Sequence, residues 1–243
     1  MSIYTVDALA IAADGMQKDV LKLKAVSQNL ANAITPGYKK QLLVTQAFAL
    51  QMEQGLAATP SSPVSSSFAI DPAAGTLRPT GNPHDIAVEG DAYLELATPE
   101  GLRYTRQGGL RVDAHGRLVG SQGLPVLGMG GEIVLVGEDF RVDTNGEVWQ
   151  RGAVAGRLKL VRFENPGALE PAGSGMYAQG AARALDGAGT ARLRTAHQEN
   201  SNVNSAQEMV ALTETVRHFE ALAKVIQGYD DNLEKTIRKL GEF

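Results

Sequence analysis

Two apolar stripes, one at each end of the chain, limit its possible folds more than anything between them. The first runs Val6, Leu9, Ala13, Met16, Val20, Leu23, Ser27, Leu30, Ile34. The second runs Met209, Leu212, Val216, Phe219, Ala223, Ile226, Asp230, Leu233, Ile237, Leu240. Both advance by alternating steps of three and four residues, the spacing of a heptad seam. Ser27 and Asp230 are their only polar members. The spacing predicts one helix over 6–34 and another over 205–240, the second roughly 50 Å long at 1.5 Å per residue. Ser205-Ala-Gln-Glu208 has the form of a capping box at its start. Neither stripe is stable in water until it is covered. The helices are therefore expected to pair along their seams and to meet other chains through their outer faces. Two helices lying on an ordinary core are the plainer alternative.

The middle of the chain has a different texture. "TPSSPVSSS" at 59–67 reads as a polar linker. From Phe68 onward, short alternating or β-branched runs such as "DIAVEG", "AYLELA", "EVWQRG" and "GRLKLVRFE" are separated by glycine. "RVDAHGRLV" and "RVDTNGEVW" echo each other, each with an aspartate opening a tight turn and a glycine suited to positive φ. "AARALDGAGTARLRTA" reads as a loop leading back to the second helix. The expected fold class is α+β. An N-terminal helical segment (1–58) and a C-terminal helix (199–243) are expected to pair as a coiled coil, with 59–198 forming a β-rich central domain between them.

Little points to chemistry. With no cysteine there are no disulfides and no thiolate metal sites. His84, His115, His197 and His218 have no metal-ligand spacing, and His218 is expected to face solvent. No phosphate loop, dinucleotide fingerprint or nucleophile elbow occurs. "GMGGE" at 128–132 precedes a strand and reads as a turn. Asp143-Thr-Asn145-Gly146 has the start of a calcium loop but strands on both sides, so it reads as an Asx turn. Asp85, Glu89, Asp91 and Glu95 read as a solvated strand face. A net charge of −4 argues against a general nucleic-acid binder. No apolar run approaches the roughly 18 residues of a membrane helix, and no secretory signal is visible.

Between the first seam and the strands stands "SQNLANAITPGYKK", 27–40. Thr35 is pushed out of helix by the proline after it. Pro36 cannot continue helical bonding, and Gly37 is free to take φ > 0. Tyr38 offers an apolar body with a polar tip. "LANAITPGYK" resembles the N-terminal signature of the flagellar rod, hook and hook-filament-junction proteins. Residues 80–128 are similar to that family's central block, and "ENSNVNSAQEMVALTETVRHFEALAKVIQGYD" at 199–230 is similar to its C-terminal block. The blocks keep the family's order and frame almost the whole chain. "GRLKLVRFENPGALEPAGSGMY" and Phe219-Glu220 look most like the proximal-rod member, with the distal-rod paralogue as the alternative. The resemblance implies an axial subunit of the basal-body rod in the periplasm, exported without a cleaved signal by the flagellar type III apparatus. Its partners would be copies of itself and other rod subunits, without nucleic acid, membrane insertion, cofactor or metal. It implies no enzyme activity. A secreted adhesin or binding module is the rival from another class.

Expected assembly contacts are Leu23, Leu30, Asn32, Pro36, Gly37 and Tyr38 at one end, and Met209, Leu212, Val216, Phe219, Ile226 and Leu233 at the other. Gly37→Val is expected to harm assembly more than the stability of the central domain.

Overall fold

The computed structural model describes residues 3–45, 66–185, 187 and 189–241. They divide into two compact units. One holds the chain up to Leu30, residues 43–67, and the chain from Ser205 onward; the other holds 31–42 and 68–204. Most of the expected linker, 59–65, lies outside the described residues, and Ser66 already begins a strand, Ser66–Ile70.

The first unit is built on helix α1, Ile3–Ala31, and helix α2, Ser205–Gly241. Both are rich in Ala, Leu, Lys, Gln and Glu, which lose little freedom in a helix. α1 stops three residues before the expected Ile34, and Ile34 is 93% exposed. Asn29 Nδ2 donates to Glu208 Oε2 at 3.0 Å. Asp19 Oδ2 stands 2.6 Å from His218 Nδ1. A Cβ on Gly15 would lie 2.9 Å from a Leu222 methyl. Every step back along α1, from 29 to 19 to 15, is matched by an equal step forward along α2, from 208 to 218 to 222. The helices are therefore antiparallel in a single register.

This contact line corrects the expected seam. Ala12, Asp19, Val26, Asn29, Glu208 and Thr215 are buried. On both helices the line lies one residue before the apolar stripe: 19 rather than 20, 29 rather than 30, 208 rather than 209, 215 rather than 216. Leu9, Val20, Met209, Val216, Leu233 and Ile237 of the stripe are exposed, while Leu23, Leu30, Leu212, Phe219 and Ile226 are half-buried. The cause lies in the side chains. Ala12 and Gly15 permit close approach, and Asn29 with Glu208 and Asp19 with His218 form bonds in this register. One residue is about 100° of helix rotation, so the same turn carries the apolar stripe off the contact. His218 is exposed, as expected, at 62%, and its ring also reaches Asp19.

The second unit centres on a six-stranded antiparallel sheet ordered Glu170–Pro171, Met176–Ala178, Gly101–Thr105, Ala92–Thr98, Leu160–Phe163, Ala184–Leu185. Alternation along Ala92–Thr98 sends Leu94 and Leu96 into one core with Ile86, Val88, Leu118 and Val148. Tyr93 points the other way and meets Phe163 and Tyr177 edge-on.

Two expectations fail in this unit. The loop expected at 181–196 contains the strands Ala184–Leu185 and Arg192–Thr195, the latter paired with Ile86–Glu89. The solvated acidic face is only half present, because Asp85 and Glu95 are buried. Glu95 sits on the Tyr93 face with Lys159 Nζ at 2.6 Å. Burial, and then the charge and hydrogen bond of Glu95, raise the neighbouring Tyr104 hydroxyl above its usual range.

The sequence echo is structural. Asp113 Oδ1 accepts from the amides of His115 and Arg117, and Asp143 Oδ1 from those of Asn145 and Glu147, all at 2.8–2.9 Å. Gly116 and Gly146 close the turns at φ 79° and 83°.

Candidate functional site at the Thr-Pro-Gly-Tyr turn

Beyond Ala31 the chain turns at once. The Thr35 amide donates to Asn32 O at 3.0 Å, and the Tyr38 amide reaches back to Thr35 O at 3.3 Å. Asn32 and Pro36 are half-buried here. Gly37 takes φ 67°, a region costly for any residue with a Cβ. Its amide donates to Glu199 O at 2.7 Å. A Cβ on Gly37 would stand 2.5 Å from the Arg106 carbonyl carbon and 2.7 Å from its oxygen. Glycine is thus required twice, for its dihedral and for its size. Tyr38, expected to face a neighbouring subunit, is 4% exposed and packs inside its own unit.

The next residue opens a buried ionic cluster. Lys39 Nζ lies 2.7 Å from Glu199 Oε1 and 2.7 Å from Ala73 O, and the Lys39 amide donates to the Tyr177 hydroxyl at 2.7 Å. Arg106 Nε meets Glu199 Oε2 at 2.5 Å. The rest of its guanidinium donates to the carbonyls of Val88, Gly90 and Ala92. The Gly75 amide adds a further bond to Glu199 Oε1 at 2.8 Å. Burial alone would raise the Glu199 carboxyl, but the charges of Arg106 and Lys39 and their hydrogen bonds outweigh it and hold the group below the usual carboxylate range. Burial lowers Lys39 more than Glu199 raises it, and the nearby positive charge of Arg106 lowers it further. Glu199 is therefore the ionised centre, shared by two cations.

Asn202 completes the knot. Its Oδ1 accepts from the Lys40 amide at 2.7 Å, and its Nδ2 donates to Asp71 O and Ala73 O. Four separated segments meet here: 37–40, 71–75, Arg106 and 199–202. The first directly follows α1 and the last directly precedes α2. The arrangement brings the entry and exit of the second unit together.

Of the assembly contacts expected from sequence, Asn32, Pro36, Gly37 and Tyr38 lie at this turn, whereas Lys39, Arg106, Tyr177, Glu199 and Asn202 were not among the residues expected. Arg106, Glu199 and Asn202 stand inside the stretches "TRQGG" and "ENSNV", where charged and polar residues in a row read as solvated. The helical candidates form a separate group: Leu23, Leu30, Leu212, Phe219 and Ile226 flank the α1–α2 contact, and Met209, Val216 and Leu233 are exposed.

Comparison with known proteins agrees with this architecture. Residues 194–239 match the family model for the flagellar basal body rod FlgEFG protein C-terminal region. Residues 87–150 match the flagellar hook protein FlgE/F/G D1 domain. The chain is similar to the flagellar basal-body rod protein FlgF of Salmonella typhimurium, at 32% identity over 93% of this chain and 95% of that one. It is 31% identical to FlgF of Escherichia coli over the same shares. To the basal-body rod protein FlgG of Bacillus subtilis it is 28% identical, over 92% of this chain and 95% of that one. The matched regions include the Arg106 and Glu199 positions of the knot and most of α2, and the full-length similarities cover both ends of the fold: the chain belongs to the flagellar basal-body rod protein family.

Proposed function

We propose that this chain is a non-catalytic structural subunit of the flagellar basal-body rod, polymerising along the axis to carry torque from motor to hook. The observation that carries this reading is the displaced stripe. The two helices hold each other by a small and polar line, and the apolar line beside it stays exposed at Leu9, Val20, Met209, Val216, Leu233 and Ile237. A heptad-spaced apolar line on an exposed helix is a surface for another helix. In this reading the helices of neighbouring subunits meet along that line in a coiled-coil inner layer, with the β unit as the outer domain. Inner and outer domains are assigned as expected from sequence, 1–58 with 199–243 and 59–198, except that 31–42 and 199–204 go with the strands and 59–67 with the helices. Partners are copies of this chain and other rod subunits. Export through the type III apparatus to the periplasmic rod, without a cleaved signal, belongs to the same reading. A rod is also the family's own context, whereas the adhesin alternative finds no support among the relatives. Within the family we favour the proximal rod on the residues of 156–177 and Phe219-Glu220, since relatives named FlgF and FlgG both match nearly end to end.

Leu233→Asp tests the reading. Leu233 is 56% exposed, so the substitution should leave the urea midpoint of the isolated chain within about 0.5 kcal/mol of the parent. It should abolish rod completion and swimming, because it places a charge in a line that must be dry in the assembly. Glu220→Lys, off the stripe, should swim. A Leu233→Asp strain that swims like the parent would refute the outward-facing seam.

A further inference from the structure

The β unit contains a cleft of about 940 Å³ whose lining includes Glu95, Tyr104, Asn145, Arg157, Lys159 and Arg192. Glu95 is buried, with Lys159 Nζ 2.6 Å from its Oε2. Arg157 and Arg192 are exposed, and among the described residues neither has a carboxylate within 4.0 Å. Arg157 is steadied by its Nε bond to Asn145 O at 3.3 Å. Residues 151–194 carry seven Arg and Lys against three Asp and Glu, in a chain of net charge −4. The cleft is thus a basic site on an acidic protein.

The same unit carries a matching projection. Gln150 Oε1 accepts from the Val136 amide at 2.8 Å, and its Nε2 contacts the carbonyls of Val136, Gly137 and Asp139 at 3.2–3.4 Å. One side chain therefore fixes the loop in shape before anything binds it, which lowers the ordering cost of association. The loop exposes Glu138 and Asp139, and among the described residues neither has a cation within 4.0 Å. Val136 beside them is 66% exposed. The Glu138 and Asp139 carboxylates are exposed on the loop, and the Arg157 and Arg192 guanidiniums line the cleft. A guanidinium presents a fork of donors that fits a carboxylate.

We propose that the cleft receives the 136–139 loop of a second copy of this chain, with Glu138 and Asp139 on Arg157 and Arg192. The proposal rests on the rod-subunit reading. An open axial polymer needs a head-to-tail interface between two different patches of the same molecule, since a patch that fits itself closes into a dimer. Cleft and loop are such a complementary pair. The contact is screened by salt.

The test uses the full chain as the only copy in cells, with folding of each variant checked by its urea midpoint. Deleting the gene should stop swimming; if it does not, the rod reading falls and this inference with it. Arg157→Glu with Arg192→Glu should lose swimming, and so should Glu138→Arg with Asp139→Arg. The four changes together should restore it. The chain has no cysteine of its own, so Glu138→Cys combined with Arg192→Cys reports the contact directly. Mild oxidation of isolated basal bodies should give covalent dimers of this chain with both cysteines and none with either alone. If deletion stops swimming but both charge reversals swim, or if the four changes together fail to restore swimming, the loop and cleft do not meet. Disulfides to a different rod protein would equally overturn a second copy as the occupant.

Discussion

Glu199 faces two cations in a space that excludes water, so its loss is felt through the partners it leaves behind. Glu199→Gln strands Lys39 and Arg106 as buried, uncompensated charges and should cost about 3–5 kcal/mol, read from the urea midpoint of the β unit. The same carboxylate gives a pH signature. Its folded value is depressed, whereas the unfolded chain returns it to about 4.3. Above that value both states are ionised and the full stabilisation is present. As the pH falls below it the unfolded state takes up the proton first, and stability is lost until the folded value is also passed. The parent should therefore weaken on acidification below about pH 4.3, and Glu199→Gln should lack that component. Gly37→Val changes meaning in the light of the fold. From sequence it is a turn substitution felt mainly in assembly. With Gly37 against the Arg106 backbone, it should also lower the urea midpoint of the β unit, by at least the roughly 1–3 kcal/mol of backbone strain. A midpoint equal to the parent's would show that the backbone at Arg106 gives way freely.

Both helices were readable from spacing to within three residues at their ends, because a heptad period depends only on the order of residue types. The face each helix turns to its partner was not. Facing is decided between neighbouring stripes by Ala12 and Gly15, which let backbones approach, and by polar pairs such as Asn29 with Glu208, which cannot be seen until both helices are in place. The strands around 86–105 were readable from alternation and glycine. The short strands Ala184–Leu185 and Arg192–Thr195 were not, because they owe their form to partners far away in sequence. The knot was half readable: Pro36 and Gly37 announce a turn, but Lys39, Arg106 and Glu199 become a cluster only across separations of 93 and 160 residues. The exposure along α2 carries its own prediction. Every described side chain from Asp230 to Lys239 is exposed, whereas Glu208 and Thr215 are buried. In a dilute monomer, amide exchange should be slowest near 208–226 and fast beyond Tyr229, and assembly should slow the distal part. Uniform protection along α2 in a proven monomer would contradict this.

The molecule as a whole is two helices joined through a long detour. Between Ala31 and Ser205 lie 173 residues, counted from the bounds of α1 and α2. As a flexible tether, a detour of that length would dilute each helix in the volume its partner could roam. The knot removes that freedom. The Gly37 amide is bonded to Glu199 O, and the Asn202 amide lies 3.4 Å from Tyr38 O, so the detour begins and ends at nearly the same point. Replacing a loop of that size by an effective one near ten residues is worth about 2.5 kcal/mol of closure entropy. The β unit thus has its entry and exit side by side, and its interior can be rebuilt without lengthening the effective tether between the two helices, provided the knot stays closed.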